Sequence, residues 1–386
     1  MSARFFTKPA KLKKIAINSL LLLVSLLICI ILGEFFIRIF LNPVDYLAPR
    51  LIQDEVIKWH IEPYSAGYDA WGYRNESVPD SADIVTLGDS QTFGSNASAH
   101  NSWPAFLQRI TNKNVYNLAL GGYGPVQYSY LLENLAVTLN PSTIVVGLYY
   151  GNDIREAYSM VYNYEYWAHL ADPEYIGKDF KPDDSMTDGQ SVFLAPVRKW
   201  LANKSILYRL FTFTMAEKLR YLEMKLFRKS GQDIVMLDDP NSIIHTAFTP
   251  AKRLAVLNLD DYRTTEGLRI SLDLFTRMNE FCTEWKISLV VALIPTKESV
   301  YTDYIFNNKK FKQSEVVDKL ILNERSINKI IKKYFIQNSI DFVDLLEPLQ
   351  KTIGKKRIYP SNSDGHPNRN GYEVIARTIH DHLAQR

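Results

Sequence analysis

Two cysteines in 386 residues are too few for a disulfide framework or a thiolate zinc site. Cys29 lies in an apolar run and Cys282 in an expected helix, so both are expected to be free. A dominant charge is lacking too: Lys and Arg number 45, Asp and Glu 42, for a net +3 at pH 7. Without a concentrated basic face, nucleic acid is not expected as a partner. Histidine is sparse, and His60, His100, His169 and His245 have no partners at ligand spacing. The His380-Asp381-His382 run would project from different faces of a helix. No metal and no other cofactor is therefore expected. Internal repeats and low-complexity tracts are also lacking. The rest of the composition, 46% apolar and 23% charged, is that of a folded globular chain.

Acid is absent from residues 1–14, which carry Arg4, Lys8, Lys11, Lys13 and Lys14. Charge of either sign is absent from Ile15 to Leu32. A helix of that length spans roughly 27 Å, close to the hydrocarbon thickness of a bilayer. No small-x-small cleavage site follows, and apolar residues continue to Leu41, so the run reads as a retained signal anchor. Basic residues stay on the cytoplasmic side. The expected layout is a cytoplasmic tail over 1–14, a transmembrane anchor over 15–41 and a linking segment over 42–82. An extracytoplasmic (periplasmic) domain over 83–386 follows, on a single-pass protein of the inner (plasma) membrane. Glu34 and Arg38, spaced i, i+4, are placed to pair at the membrane surface.

In the exterior part short apolar runs alternate with helix-length amphipathic stretches. Expected strands are Ile84–Leu87, Val115–Leu118, Thr143–Leu148, Ser288–Leu293 and Ile340–Val343, each β-branched and nearly continuous in apolar residues. Expected helices are Ser102–Thr111, Val126–Val137, Thr264–Trp285, Ser314–Phe335 and Asn370–Leu383. Such alternation implies a doubly wound α/β domain with a parallel sheet, whose ligands bind beyond the carboxyl ends of the strands. Residues 154–262 break the pattern and are expected as a helical, aromatic-rich insertion. It includes a basic amphipathic helix carrying Leu207, Leu210, Phe211, Leu219, Leu222 and Leu226 with Lys218, Arg220, Lys225, Arg228 and Lys229. That helix either caps the domain or lies on the membrane surface.

Four motifs fall at expected strand ends or just before the last helix. They are Gly88-Asp89-Ser90-Gln91-Thr92-Phe93-Gly94, Asn117-Leu118-Ala119-Leu120-Gly121-Gly122-Tyr123-Gly124, Gly151-Asn152-Asp153 and Asp364-Gly365-His366-Pro367-Asn368. Ser90 on a strand-to-helix turn would expose its hydroxyl. A hydroxyl is a weak nucleophile and needs a base, for which His366 is the candidate. Asp364 would hold the imidazole in the correct tautomer. The backbone N–H groups of Ser90 and Gly122 with the Asn152 amide would form a three-donor oxyanion hole. A two-metal phosphoesterase would need bridging carboxylates and more histidines than His366 alone.

With these residues in this order the sequence resembles the SGNH, or GDSL, hydrolase superfamily. The resemblance covers about residues 83–372 outside the insertion. It implies a flavodoxin-like three-layer α/β/α fold and serine-based ester chemistry, with Ser90, Gly122, Asn152, Asp364 and His366 in the matching places. In the family's last block two residues separate Asp from His; here Gly365 alone does. Pro295-Thr296-Lys297-Glu298-Ser299-Val300-Tyr301 resembles a stretch of membrane-anchored members linked to polysaccharide acetylation. Lys297, at a strand end, is read as a contact for an anionic sugar.

The function expected is that of a membrane-anchored serine esterase or O-acyltransferase acting on acyl groups, acetyl first, of a cell-envelope polysaccharide. The alternatives are a lipid acyl esterase or lysophospholipase and a non-catalytic glycan-binding or assembly module. Expected partners are an acylated glycan or lipid, the membrane and, for a transferase, a membrane protein that delivers the acyl donor.

Overall fold

The structure, a computed structural model, describes residues 8–177, 195–212, 215, 235–238, 243–307 and 315–386. The chain divides into two compact units: residues 1–49 with 188–229, and residues 50–187 with 230–386.

The first unit is built on one helix, Lys8–Phe40, of which Lys13–Phe40 is long and apolar enough to cross a membrane. It is apolar all round, and Leu20, Leu22, Leu27, Ile31 and Phe36 are exposed. Pro43 prevents its continuation, and Asn42 caps a short helix, Pro43–Tyr46, by accepting the Val44 N–H at 3.2 Å. Glu34 and Arg38 pair at 2.9 Å. The Glu34 carboxylate also accepts the Ser205 hydroxyl at 2.9 Å and the N–H groups of Ile206 and Leu207 at 2.9 and 3.0 Å. Arg38 donates to the Lys204 carbonyl at 2.6 Å. An anion thus meets the amino end of the helix over 206–212, and a cation meets the carboxyl end of the helix Ala195–Lys204, as their dipoles favour. Residues 216–229 of the expected basic amphipathic helix lie outside the described residues.

In the second unit a hairpin of β1 (Leu51–Asp54) and β2 (Lys58–Ile61) leads into β3 (Ile84–Gly88), β4 (Val115–Asn117) and β5 (Thr143–Tyr149). A second hairpin, β6 (Val235–Asp238) and β7 (His245–Phe248), precedes β8 (Ser288–Ile294) and β9 (Phe342–Asp344). The expected strands thus appear as β3, β4, β5, β8 and β9, and they form one parallel sheet in the order β4-β3-β5-β8-β9. Every residue of β3 and β5 is buried, so helices cover both faces, which is why these strands read as unbroken apolar runs. Arg369–Ala384 packs on Trp103–Thr111, and Tyr262–Glu284 packs on Asp153–Asn163 and Pro125–Asn134. Filling this core with side chains such as Leu107, fully buried, contributes about 1.5–3 kcal/mol each.

Strand order reverses between β3 and β5, the position where open α/β sheets hold their ligands. Gly88 and Gly147 are register partners there. A Cβ on either would stand 2.1 or 2.3 Å from the Thr92 hydroxyl, so their bare backbone lets the short helix Ser90–Phe93 settle on the strand ends. Residues 62–82 fasten the same corner. Asp69, buried, accepts from the Tyr116 hydroxyl at 2.7 Å and from the Asn75 amide at 3.0 Å. Arg74 donates to the carbonyls of Phe93, Gly94 and Ala97 at 3.3, 3.1 and 2.9 Å, just beyond the Ser90 helix.

Candidate active site

Ser90 is the first residue of its helix, and Asp89 is the N-cap. The Asp89 carboxylate accepts the Gln91 N–H at 2.8 Å. The Ser90 N–H, in the first turn, has no acceptor within the helix. Ser90 Oγ lies 2.8 Å from His366 Nε2, and His366 Nδ1 lies 2.6 Å from Asp364 Oδ1. A ring nitrogen facing a carboxylate carries the proton, so Nδ1 donates to Asp364 and Nε2 accepts from the serine hydroxyl. The hydroxyl also lies 3.1 Å from Asp89 Oδ2, the longer of its two contacts. The three residues that the motifs nominated are therefore joined by hydrogen bonds, and the single-residue spacing does not part Asp364 from His366. The His366 backbone N–H donates to the same Asp364 oxygen at 2.9 Å. Burial works against the Asp364 carboxylate. The hydrogen bonds and charge of His366, with the Lys297 charge, overcome that and hold its pKa below the usual range.

Gly122 occupies a turn closed by Tyr123 N–H onto the Leu120 carbonyl at 3.2 Å, with φ at +79°. Only glycine adopts that backbone readily, and the turn leaves the Gly122 N–H unused. The turn runs beside Ser90: a Cβ on Gly121 would stand 3.7 Å from the Ser90 Cβ. Asn117 secures it, donating to the Thr92 carbonyl and accepting the Ala119 N–H, both at 3.1 Å. Asn152 is the N-cap of Asp153–Asn163, and its side chain favours the charged form of the Asp89 carboxylate. An N–H of that amide can serve an oxyanion. Asp153 folds back beneath the turn, its Oδ2 accepting the Tyr149 N–H at 2.8 Å and the Tyr128 hydroxyl at 2.9 Å. Burial pushes the pKa values of both Asp89 and Asp153 up.

Lys297 does not reach toward substrate. It is 1% exposed, and its ammonium donates to the carbonyls of Asn362 and Asp364 at 2.8 and 3.0 Å, with Pro360 at 3.4 Å. Its charge sits 5.7 Å from the rings of both Phe248 and Tyr359. Its place at a strand end is as expected, but the side chain turns inward and clamps the loop that carries Asp364 and His366. The insertion grips the same loop: Thr246 donates its hydroxyl to the Pro360 carbonyl at 2.9 Å.

Three further side chains border the site without belonging to any motif. The Trp59 ring lies 2.8 Å from where a Gly122 Cβ would stand, and its carbonyl accepts the Tyr123 hydroxyl at 2.7 Å. Arg253 Nη1 donates to the Gly151 carbonyl at 3.2 Å. The Tyr149 hydroxyl is buried and has no hydrogen-bond partner among the described residues. No local pattern marks Trp59 and Arg253, which the tertiary fold brings in, while Tyr149, the last residue of β5, is hidden in the sheet's apolar run.

No family model matches the sequence, and no curated relative does. Among solved structures, the chain is similar to a member of the lipolytic protein G-D-S-L family from Veillonella parvula, at 14% identity. That match covers 78% of this chain and 98% of the other, with a TM-score of 0.38. It is also similar to a catalytic mutant of an acetylxylan esterase from Geobacillus stearothermophilus, at 9% identity over 79% and 95% of the two chains, TM-score 0.38. A GDSL-like lipase from Bacteroides thetaiotaomicron matches at 11% identity over 78% and 87%, TM-score 0.36. What the site can do follows from its own geometry.

Proposed function

We propose that the chain is an SGNH-type serine esterase or O-acyltransferase, anchored in the membrane and acting on acyl groups, acetyl first, of an extracytoplasmic polysaccharide. The observation that carries this reading is the relay from Ser90 Oγ through the His366 ring to Asp364, at 2.8 and 2.6 Å. In the reaction His366 Nε2 takes the hydroxyl proton as Ser90 Oγ bonds to the acyl carbon. The carbonyl oxygen becomes an oxyanion, received by the Ser90 and Gly122 N–H groups and the Asn152 amide. The bond to the leaving oxygen breaks, and that oxygen takes the proton from His366. An acyl-serine is left. Water or a sugar hydroxyl then gives its proton to His366 and bonds to the acyl carbon, and the Ser90 Oγ leaves with that proton from His366. Water makes the protein an esterase; a sugar hydroxyl makes it a transferase, which needs an acyl donor carried across the membrane by a partner. The apolar helix Lys13–Phe40 and the basic tail before it support an envelope substrate.

The test is cleavage of p-nitrophenyl esters of increasing acyl length by the full chain in detergent. Ser90→Ala should lower turnover about 10⁴–10⁶-fold with the fold intact. Cleavage confined to acetyl supports the glycan reading, and sugar acceptors then separate hydrolysis from transfer. A preference for long chains moves the substrate to lipid. Full turnover by Ser90→Ala removes the mechanism.

A further inference from the structure

Two arginines of this unit pair directly with carboxylates: Arg155 meets Asp261 at 2.8 Å and Arg269 meets Glu266 at 2.6 Å. Arg109 instead donates to the His100 carbonyl. Arg253, on the helix Pro250–Leu257, has no carboxylate within ion-pairing distance among the described residues. It is nonetheless half-buried, and its one hydrogen bond is the Nη1 contact to Gly151, the residue before Asn152. Nη2 sits 3.0 Å from where a Cβ of Gly365 would stand, so the absence of a side chain between Asp364 and His366 gives the guanidinium its place. The fork therefore lies against both the turn that supplies Asn152 and the loop that supplies His366, with most of its donors unspent.

Tyr149 and the carboxylates of Glu298, Asp89 and Asp364 favour the Arg253 charge from a distance without pairing with it, so the fork keeps donors free for an anion that arrives. The Tyr149 hydroxyl points the same way. It is 2% exposed, without a hydrogen-bond partner among the described residues, and 3.4 Å from the same Gly365 position. The guanidinium stands 5.6 Å from the Tyr149 ring centroid, so both donors border one spot. At the oxyanion turn, by contrast, the neighbour is the half-buried Trp59 indole, a flat apolar surface of the kind a sugar ring covers. A planar fork suits a carboxylate bidentately.

We infer that Arg253 is a specificity residue that receives a carboxylate on the sugar bearing the acyl group, so that the substrate is an acidic glycan. This rests on the proposed esterase or transferase reading for its catalytic consequence, but not for the binding itself. The insertion then supplies recognition, while the sheet supplies the chemistry.

The test uses the full chain in detergent at low ionic strength and separates binding from turnover. Calorimetric titration of the Ser90→Ala protein with trigalacturonate and with neutral maltotriose should show the acidic sugar bound at least about tenfold tighter, which is about 1.4 kcal/mol. In Ser90→Ala/Arg253→Gln the two sugars should bind alike, and Arg253→Lys, which keeps the charge but not the fork, should fall between. With active protein, kcat/KM for an O-acetylated methyl galacturonoside should exceed that for its uncharged methyl ester, with the difference in KM and abolished by Arg253→Gln. Equal binding of the two sugars, or an equal fall on both in the variants, overturns the inference. So does Arg253-dependent cleavage of lysophosphatidylglycerol in preference to the acetylated acid sugar, which assigns the fork to a lipid phosphate. Acid-selective binding without ester cleavage leaves Arg253 its role and removes the proposed chemistry instead.

Discussion

At Ser90 two carboxylates compete for influence over one hydroxyl. Asp89, fully buried and raised in pKa by that burial, accepts the Gln91 N–H and lies farther from the hydroxyl than Nε2 does, which leaves the imidazole as the proton acceptor. Asp364 acts one atom further away, by fixing which imidazole nitrogen carries a proton. Its hydrogen bond to Nδ1 at 2.6 Å leaves Nε2 bare toward the serine. His366→Ala removes the base itself and should cost about 10⁶-fold in kcat on p-nitrophenyl acetate. Asp364→Asn keeps the shape, lets the side-chain amide donate to Nδ1 and so stabilises the wrong tautomer, at about 10⁴-fold. Steady-state kinetics of both variants checks the order. A loss at Asp364 equal to that at His366 would mean that the carboxylate does more than orient. No change at Asp364 would mean that another acid orients the ring.

At the scale of the element, the loop over 360–366 has little regular structure of its own and is held by its neighbours. Lys297 is the tightest of these holds and also its titratable part. Burial, with the Arg253 charge, lowers its pKa from 10.5 to about 8, against the opposing pull of Glu298 and Asp364. A neutral amine has two N–H donors for three carbonyls, so the loop should loosen and kcat should fall as pH rises through about 8. Stability runs the other way. Between about 8 and 10.5 the unfolded chain binds a proton that the folded one does not, so this group's contribution to stability rises with pH. A kcat profile from pH 6 to 10 should show the alkaline fall in the wild type and its absence in Lys297→Met, whose kcat should be about 10–100-fold lower throughout. An unchanged alkaline limb in Lys297→Met would take the lysine out of loop control. The sequence announced the five sheet strands because their doubly buried faces leave an unbroken apolar signature, and it announced Ser90, Gly122, Asn152, Asp364 and His366 because each sits in a short motif. It did not announce β1–β2 or β6–β7. These strands are four residues each, and three of the four residues of β1 are exposed, so no period-two pattern marks them. The inward turn of Lys297 was hidden for a similar reason, since a lysine in sequence does not disclose three carbonyls about 60 residues away.

At the scale of the whole molecule one helix stands apart: Lys13–Phe40, 28 residues long, has an apolar 18-residue stretch of which none is buried by protein. Its length, about 42 Å at 1.5 Å per residue, exceeds a hydrocarbon core of about 30 Å, so one end must emerge. Counting from Ile15, the core ends near Glu34, and there the helix carries its first charges, paired with each other and engaged with the polar ends of two further helices. Those helices expose Trp200 (61%) and Phe211 (64%), the residue types that settle at a membrane–water boundary. On the proposed reading the five cations before Ile15 stay on the cytoplasmic side, which would send the chain after the span to the other. Alkaline phosphatase, active only outside the cytoplasm, should therefore be active when fused after Arg386 and silent when fused after Lys14. The full chain should stay with the membrane pellet through alkaline carbonate. A silent carboxyl-terminal fusion would place the Ser90 site in the cytoplasm and remove envelope glycans from its reach. A carbonate-soluble chain would mean that the helix lies in a partner protein or is removed. The expected pair of results would put the Ser90 site on the envelope side, within reach of the glycan or lipid esters that the acyl-length series separates.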